Sequence, residues 1–183
     1  TQKDHLIDID GGIGTLFAYS SMARREMPDS DIYLDGKVER LSRNGSFLGQ
    51  HVCTSLPGVA AHINAFNFPV WGMLEKLAPA ILAGVPAIVK PATATSHVTE
   101  LCVRLILESG LLPEGALQLV SGSLGSMLRH VTSQDVVSFT GSAETALMLR
   151  SAPEILQNAT RFIAEQDSLN AALLGPDVQQ GTA

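Results

Sequence analysis

Apolar and polar positions follow two rhythms along this chain. Ile13 to Met22 is largely apolar, with Leu16, Tyr19 and Met22 at helical spacing. Pro28 to Ser46 is polar and turn-rich and breaks any regular pattern, and Phe47 to Cys53 reads as a short strand. From Gly58 onward, short apolar runs alternate with amphipathic stretches. Val59–Ile63, Ala87–Lys90, Leu117–Val120, Val136–Phe139, Arg161–Ala164 and Ala171–Leu174 have the length and content of strands. Val70–Leu82 suits a helix, with Trp71, Leu74, Leu77, Ala78 and Ile81 on one face and Gly84 behind it as a stop. Ser96 is positioned to cap a helix running to Ser109, closed by Gly110; Leu124–His130 and Ala143–Arg150 suit two more. Strand followed by helix, repeated, predicts the α/β class: a parallel sheet with helices on both faces, preceded by a helix-and-strand appendage. Residues 1–57 form that appendage, expected to serve oligomerisation, and residues 58–183 form the sheet domain.

In such a sheet, ligands gather at the carboxyl ends of the strands. Asn67, Lys90, Gly122, Gly141 and Glu165 all fall there. Lys90 ends an apolar strand, where it can reach a ribose or phosphate, or simply turn into solvent. Gly141-Ser142 ends a strand and opens a helix, a junction that lets a phosphate approach the backbone and the helix N-terminus but also serves as an ordinary turn. Ser121-Gly122-Ser123-Leu124-Gly125 repeats that signal, and the full G-x-G-x-x-G fingerprint is absent. Asn67, between Phe66 and Phe68, is either a turn former or a positioned amide donor. Glu165 is either a surface carboxylate or a general base.

Composition removes several classes. The chain has 183 residues, 45% of them hydrophobic, and a formal net charge of −6. Its 12 Lys and Arg are scattered, which argues against a nucleic-acid surface. No run of about 18 apolar residues predicts a membrane span. Cys53 and Cys102 stand far apart and match no metal-ligand spacing, as expected of reduced thiols in a cytoplasmic protein. The histidines lack paired spacing of the H-E-x-x-H kind, so no metal is expected. The chain opens on Thr1 and closes on Gln179-Gln180-Gly181-Thr182-Ala183 with no terminating element, and both ends are expected to be cuts.

The motifs gain meaning in order. Phe66-Asn67-Phe68-Pro69, Ala78-Pro79-Ala80 to Gly84, Val89-Lys90-Pro91-Ala92, Ser109-Gly110-Leu111-Leu112-Pro113 and Phe139-Thr140-Gly141-Ser142 follow one another along the chain. This series resembles the cofactor-binding domain of the aldehyde dehydrogenase superfamily, a Rossmann-like domain. His62 to Pro69, Trp71 to Lys76, Lys90 to Thr95 and Asp167 to Asn170 extend the match. They resemble the dehydrogenase half of the bifunctional ring-opening proteins of phenylacetate degradation, with the semialdehyde dehydrogenases of the benzoyl-CoA pathway a close second.

The resemblance implies roles. Asn67 would be the oxyanion-hole amide, and Glu165 the base that activates water for thioester hydrolysis. Phe66 stands where the family usually has Trp, at the cofactor. Lys90 would bond the adenosine ribose, and Ser142, with the Gly141 and Gly122 turns, would face the pyrophosphate. The family's usual Glu three residues after the lysine is Thr93 here, which removes a repulsion toward a 2′-phosphate and implies NADP, with NAD also possible. Two further departures stand out: Ala146 replaces the glycine that often ends the Gly-Ser turn, and Glu165-Gln166-Asp167-Ser168 replaces Glu-Leu-Gly-Gly. The substrate implied is a small CoA-linked aliphatic aldehyde, the assembly a homo-oligomer, and a hydratase-like domain is expected to be fused in the full protein.

No cysteine follows Glu165 in this sequence. The family's thiolate chemistry needs one beyond the base, so the chain alone is expected to be inactive. Two other readings remain open: a non-catalytic nucleotide-binding or assembly module, and a reductase of acyl phosphates or acyl-CoA that dispenses with the water-activating base.

Overall fold

The computed structural model describes residues 3–167 and residue 173. It opens on a long helix, α1 (Asp4–Glu26), and a hairpin of β1 (Ile32–Arg40) and β2 (Leu48–Thr54). The chain then winds through β3 (Ala60–Ile63), α2 (Trp71–Leu82), β4 (Ala87–Lys90), α3 (Ser96–Glu108) and β5 (Leu117–Leu119). It continues through β6 (Val136–Gly141), α4 (Ala143–Arg150), α5 (Pro153–Gln157) and β7 (Arg161–Gln166). The last five strands form one sheet in the order β5-β4-β3-β6-β7, every neighbouring pair parallel.

Strands in the middle of a parallel sheet are covered on both faces and therefore read as unbroken apolar runs. Ala61, Ile63, Val137 and Phe139 point to one face and pack with Ala146, Leu149 and Ile155 of α4 and α5. Ala87, Val89 and Leu117 point to the other and pack with Met73, Leu74 and Leu77 of α2 and Val103 of α3. Helix α1 adds Leu16 at the edge of this second core. It lies close on α2: a Cβ at Gly12 would come within 3.0 Å of Leu74 and 3.1 Å of the Trp71 Cα.

Asp135 ties the entrances of the two central strands together. Its Oδ1 accepts from the Val59 N–H at 2.7 Å, just before β3. Its Oδ2 accepts from the Thr132 N–H at 2.6 Å and the Thr132 hydroxyl at 2.8 Å, just before β6.

The structure departs from the sequence expectations in several places. The segment read as irregular, Pro28 to Ser46, contains β1, which pairs antiparallel with β2 around a register shift between Asp35 and Glu39. Gly36, with φ of 75°, sits in that irregularity. Every residue of β1 is exposed, so no buried face imposes an apolar period on it. Helix α1 starts well before Ile13 because Asp8 and Asp10 interrupt the apolar stripe without interrupting the helix. Ser96 is the first residue of α3 rather than its cap; a 3-10 turn, Thr93–Thr95, precedes it, and the Ser96 hydroxyl donates to the Thr93 carbonyl at 3.0 Å. Leu124–His130 is only a 3-10 turn, Met127–His130. The strand expected at Ala171–Leu174 lies outside the described residues, save Leu173, which is in no regular element.

Candidate active site

The segment carrying Asn67 leaves the carboxyl end of β3 and is pinned where it enters α2. The Val70 and Trp71 N–H groups, which open that helix, donate to Asp8 Oδ1 at 3.1 and 2.8 Å. A carboxylate borrowed from α1 thus caps α2 and complements its dipole. The buried Thr99 of α3 donates its hydroxyl to the Pro69 carbonyl at 3.1 Å. Phe68 and Trp71 meet edge to face, their ring centroids 5.7 Å apart. Phe66 and Asn67 are left exposed between these anchors.

Glu165 reaches the same place from β7. It pairs in register with Thr140, whose hydroxyl donates to Glu165 Oε2 at 3.3 Å. Asn67, Thr140 and Glu165 line one cavity of about 210 Å³, with Phe68, Trp71 and Glu75 completing its wall. A larger, mainly apolar cavity of about 610 Å³ runs along the same face of the sheet; Trp71, Glu75 and Glu165 line both. His62 lines the larger one and is 3% exposed, with Nδ1 unpartnered. Burial, and then the Lys76 ammonium nearby, push its pKa down to about 4.

The other expected site residues also lie on the carboxyl rim, but not all on the same face. Lys90 pairs with Ile63, which pairs in turn with Phe139, so pleat alternation puts Lys90 on the opposite face from Glu165. Thr93 follows in the exposed 3-10 turn. Gly122 lies beyond the end of β5, with φ of 96°. Around Lys90 the rim holds orphaned polar atoms. The Asn64 N–H donates to the Lys90 carbonyl at 3.0 Å, yet both amide atoms of its buried side chain lack partners. Thr95 Oγ1, in the cleft lined by Phe66 and Asn67, also lacks one.

Gly141-Ser142 forms the strand-to-helix junction. The Ser142 hydroxyl caps α4, accepting from the Thr145 N–H at 3.3 Å. The Ala143 N–H is also engaged, donating to Asp167 Oδ1 at 3.1 Å. A protein carboxylate therefore already occupies part of this helix N-terminus.

Neither cysteine is near this machinery. Cys53 is exposed on β2. Cys102 sits in α3, where burial, and then the charge of Asp8, push its thiol pKa up. Neither lines the cavity shared by Asn67 and Glu165.

Asp8, Glu75 and Thr140 join the site without any role expected from the sequence. Asp8 and Thr140 act through partners far along the chain, so no local pattern marks them. Glu75 was visible only as a polar break in the apolar face of α2. Among the described residues, no helix is long and apolar enough to cross a membrane.

Solved structures identify the class of fold. The chain superposes on betaine aldehyde dehydrogenase from Staphylococcus aureus with a TM-score of 0.72 at 22% identity, over 92% of this chain and 32% of that one. It superposes on succinic semialdehyde dehydrogenase from Streptococcus pyogenes with a TM-score of 0.65 at 19% identity, over 85% and 32% of the two chains. This is the Rossmann-like sheet of the aldehyde-oxidising enzymes. The sequence itself matches the Aldehyde dehydrogenase family over residues 2–181, and the chain belongs to that family of oxidoreductases. Among its relatives, 3,4-dehydroadipyl-CoA semialdehyde dehydrogenase of Aromatoleum evansii is 45% identical over 100% of this chain and 35% of its own length. The 2,5-dioxopentanoate dehydrogenase of Saccharolobus solfataricus is 37% identical over 62% of this chain and 24% of its own length. The chain thus spans about a third of the length of the first relative and less of the second.

Proposed function

We propose that this chain is the dinucleotide-binding portion, residues 58–183 with the appendage 1–57, of a dehydrogenase that oxidises a CoA-linked aliphatic semialdehyde to the acid in aromatic (phenylacetate) catabolism. The observation that carries the reading is the meeting of Asn67 and Glu165 in one cavity at the rim of the sheet. The likeness of the whole chain to 35% of a CoA-semialdehyde dehydrogenase supports the substrate class.

In this reading the Asn67 amide donates to the oxygen of the aldehyde as it becomes an oxyanion. Such a donor lowers the barrier by about 2.7–4 kcal/mol. Glu165, oriented by the Thr140 hydroxyl, takes the proton of the water that releases the acid. The covalent step needs a thiolate beside the aldehyde, and neither Cys53 nor Cys102 lines the cavity. A longer polypeptide supplies it, and the chain alone turns over no aldehyde.

A nicotinamide dinucleotide, when bound, accepts the hydride. The orphaned amide atoms of Asn64, whose N–H donates to the Lys90 carbonyl, fit such a ligand, since buried polar groups without partners are uncommon and costly. Lys90 would hold the adenosine ribose, Phe66 would pack against the cofactor, and Gly122, Gly141 and Ser142 would face the pyrophosphate. Thr93 puts no carboxylate near the 2′ position, so NADP is accepted. Exposed Leu34, Val38, Leu48 and Val52 on the hairpin support a homo-oligomer.

The test is titration of the chain with NADP and NAD, then turnover of a CoA semialdehyde by the polypeptide extended to its relatives' length. Saturable NADP binding, weakened at least tenfold in Lys90→Ala, together with turnover in the extended form, is the expected result. Absence of binding and turnover in both forms would leave the reading without support.

A further inference from the structure

The face of α2 beside Asn67 and Glu165 carries a charge that the reaction as described does not use. Glu75 lies four residues after Trp71 and three after Gly72, so it is a surface neighbour of both on the helix, and all three line the 210 Å³ cavity. Gly72 is informative here. Glycine inside a helix is costly, yet a Cβ added at Gly72 would meet nothing within 4 Å. Packing does not demand the glycine; its absence of side chain leaves room beside Glu75.

Glu75 is held in place by its neighbour Lys76. Its Oε1 accepts from Lys76 Nζ at 3.1 Å, and that ammonium also donates to the Gly72 carbonyl at 3.2 Å. The Lys76 side chain is 9% exposed and the Glu75 side chain 36%. A buried ammonium requires a counter-charge, so the carboxylate is fixed at the more open end of the pair. Lys76 lines the larger cavity, not the smaller one. Among the described residues, the smaller cavity is therefore walled by two carboxylates, Glu75 and Glu165, and by no cation.

We propose that Glu75 is a specificity-determining residue that makes this site reject aldehydes whose far end is a free carboxylate and accept those whose far end is an uncharged thioester, ester or amide. The inference rests on the aldehyde-oxidising reading of the site. An acyl chain with its carbonyl between Asn67 and Glu165 runs out past Trp71 and Gly72 to Glu75. A terminal carboxylate there meets a like charge in a cleft of low dielectric, whereas a thioester carbonyl does not. Discrimination by a built-in repulsion is a common route to specificity.

The probes are glutarate semialdehyde and its methyl ester, offered to the extended polypeptide with NADP. The parent is expected to favour the ester in kcat/KM. Glu75→Gln is expected to shift the acid-to-ester ratio toward the acid by about tenfold, the size of one like-charge repulsion across a protein cleft. Glu75→Asp, which keeps the charge, is expected to preserve the parent's ratio. If Glu75→Gln fails to fold because Lys76 has lost its counter-charge, the double variant Glu75→Gln/Lys76→Met is expected to shift the ratio in the same direction by less than about tenfold but more than about twofold, since the Lys76 ammonium that would draw the acid is gone as well. A parent that favours the acid, or a ratio that moves less than about twofold when the Glu75 charge is removed, overturns the proposal while leaving the dehydrogenase reading intact. A parent that oxidises neither probe but still oxidises a CoA semialdehyde overturns the proposal alone; one that oxidises none of the three overturns the dehydrogenase reading with it.

Discussion

Replacing Asp135 with Asn probes the clamp that sets the two central strands in register. Three donors converge on this 7%-exposed carboxylate: the Val59 and Thr132 N–H groups and the Thr132 hydroxyl. An amide offers one oxygen and turns its NH2 group toward a donor. One buried N–H then loses its partner, at about 1–3 kcal/mol, and the remaining bonds lose their charge assistance, at about 1 kcal/mol more. A loss of about 2–4 kcal/mol is expected, against a total stability of about 5–15 kcal/mol for a typical domain. The assay is urea unfolding of the chain followed by circular dichroism. The pH dependence is a second check. Burial alone would raise the Asp135 pKa, but the hydrogen bonds from Val59 and Thr132 outweigh it and hold the carboxyl below its ordinary value. Because the folded value is the lower one, the contribution is complete above the unfolded pKa of about 3.9 and is lost as pH falls through the folded value. The gap between parent and variant should therefore be constant from about pH 8 to pH 5 and narrow below about pH 4. A gap under about 0.5 kcal/mol at neutral pH, or one that fails to narrow in acid, would refute the clamp.

Three further outcomes are expected. His62 is neutral in the folded protein, its pKa pushed down to about 4. The unfolded chain thus takes up the extra proton, and stability should fall by on the order of 3 kcal/mol as pH drops from about 6.5 toward 4; His62→Gln should flatten that slope in urea melts at a series of pH values. Asp8→Ala removes the acceptor for the N–H groups of Val70 and Trp71 and should cost about 1–2 kcal/mol in thermal unfolding, with no change meaning that α1 does not cap α2. Asp167→Ala frees the Ala143 N–H and removes a negative charge from the start of α4, so NADP should bind several-fold more tightly by calorimetry; weaker binding would place the pyrophosphate elsewhere.

What could be read from the sequence was what short-range pattern encodes. Ala87–Lys90 and Ala143–Arg150 match the observed elements residue for residue, because each is a short run bounded by turn residues and covered by the core. β1 was hidden because both of its faces meet solvent, and α5 because its five residues carry no full helical period. At the site, strand ends marked Asn67, Lys90, Gly141 and Glu165 as rim residues. Which face each one serves required the register, and that placed Lys90 opposite Glu165. Asp8 and Thr140 stayed invisible because their partners are 62 or more and 25 residues away along the chain.

The proposed reaction stands on Glu165 working as a base in the cavity it shares with Asn67. Its most direct test is acid release by the extended polypeptide carrying Glu165→Gln, with a CoA semialdehyde and NADP. Loss of a general base should slow acid release by about 10²–10⁴-fold, while NADP still binds as it does to the parent. Undiminished acid release would contradict the account and favour an acyl-transferring reductase on the same fold.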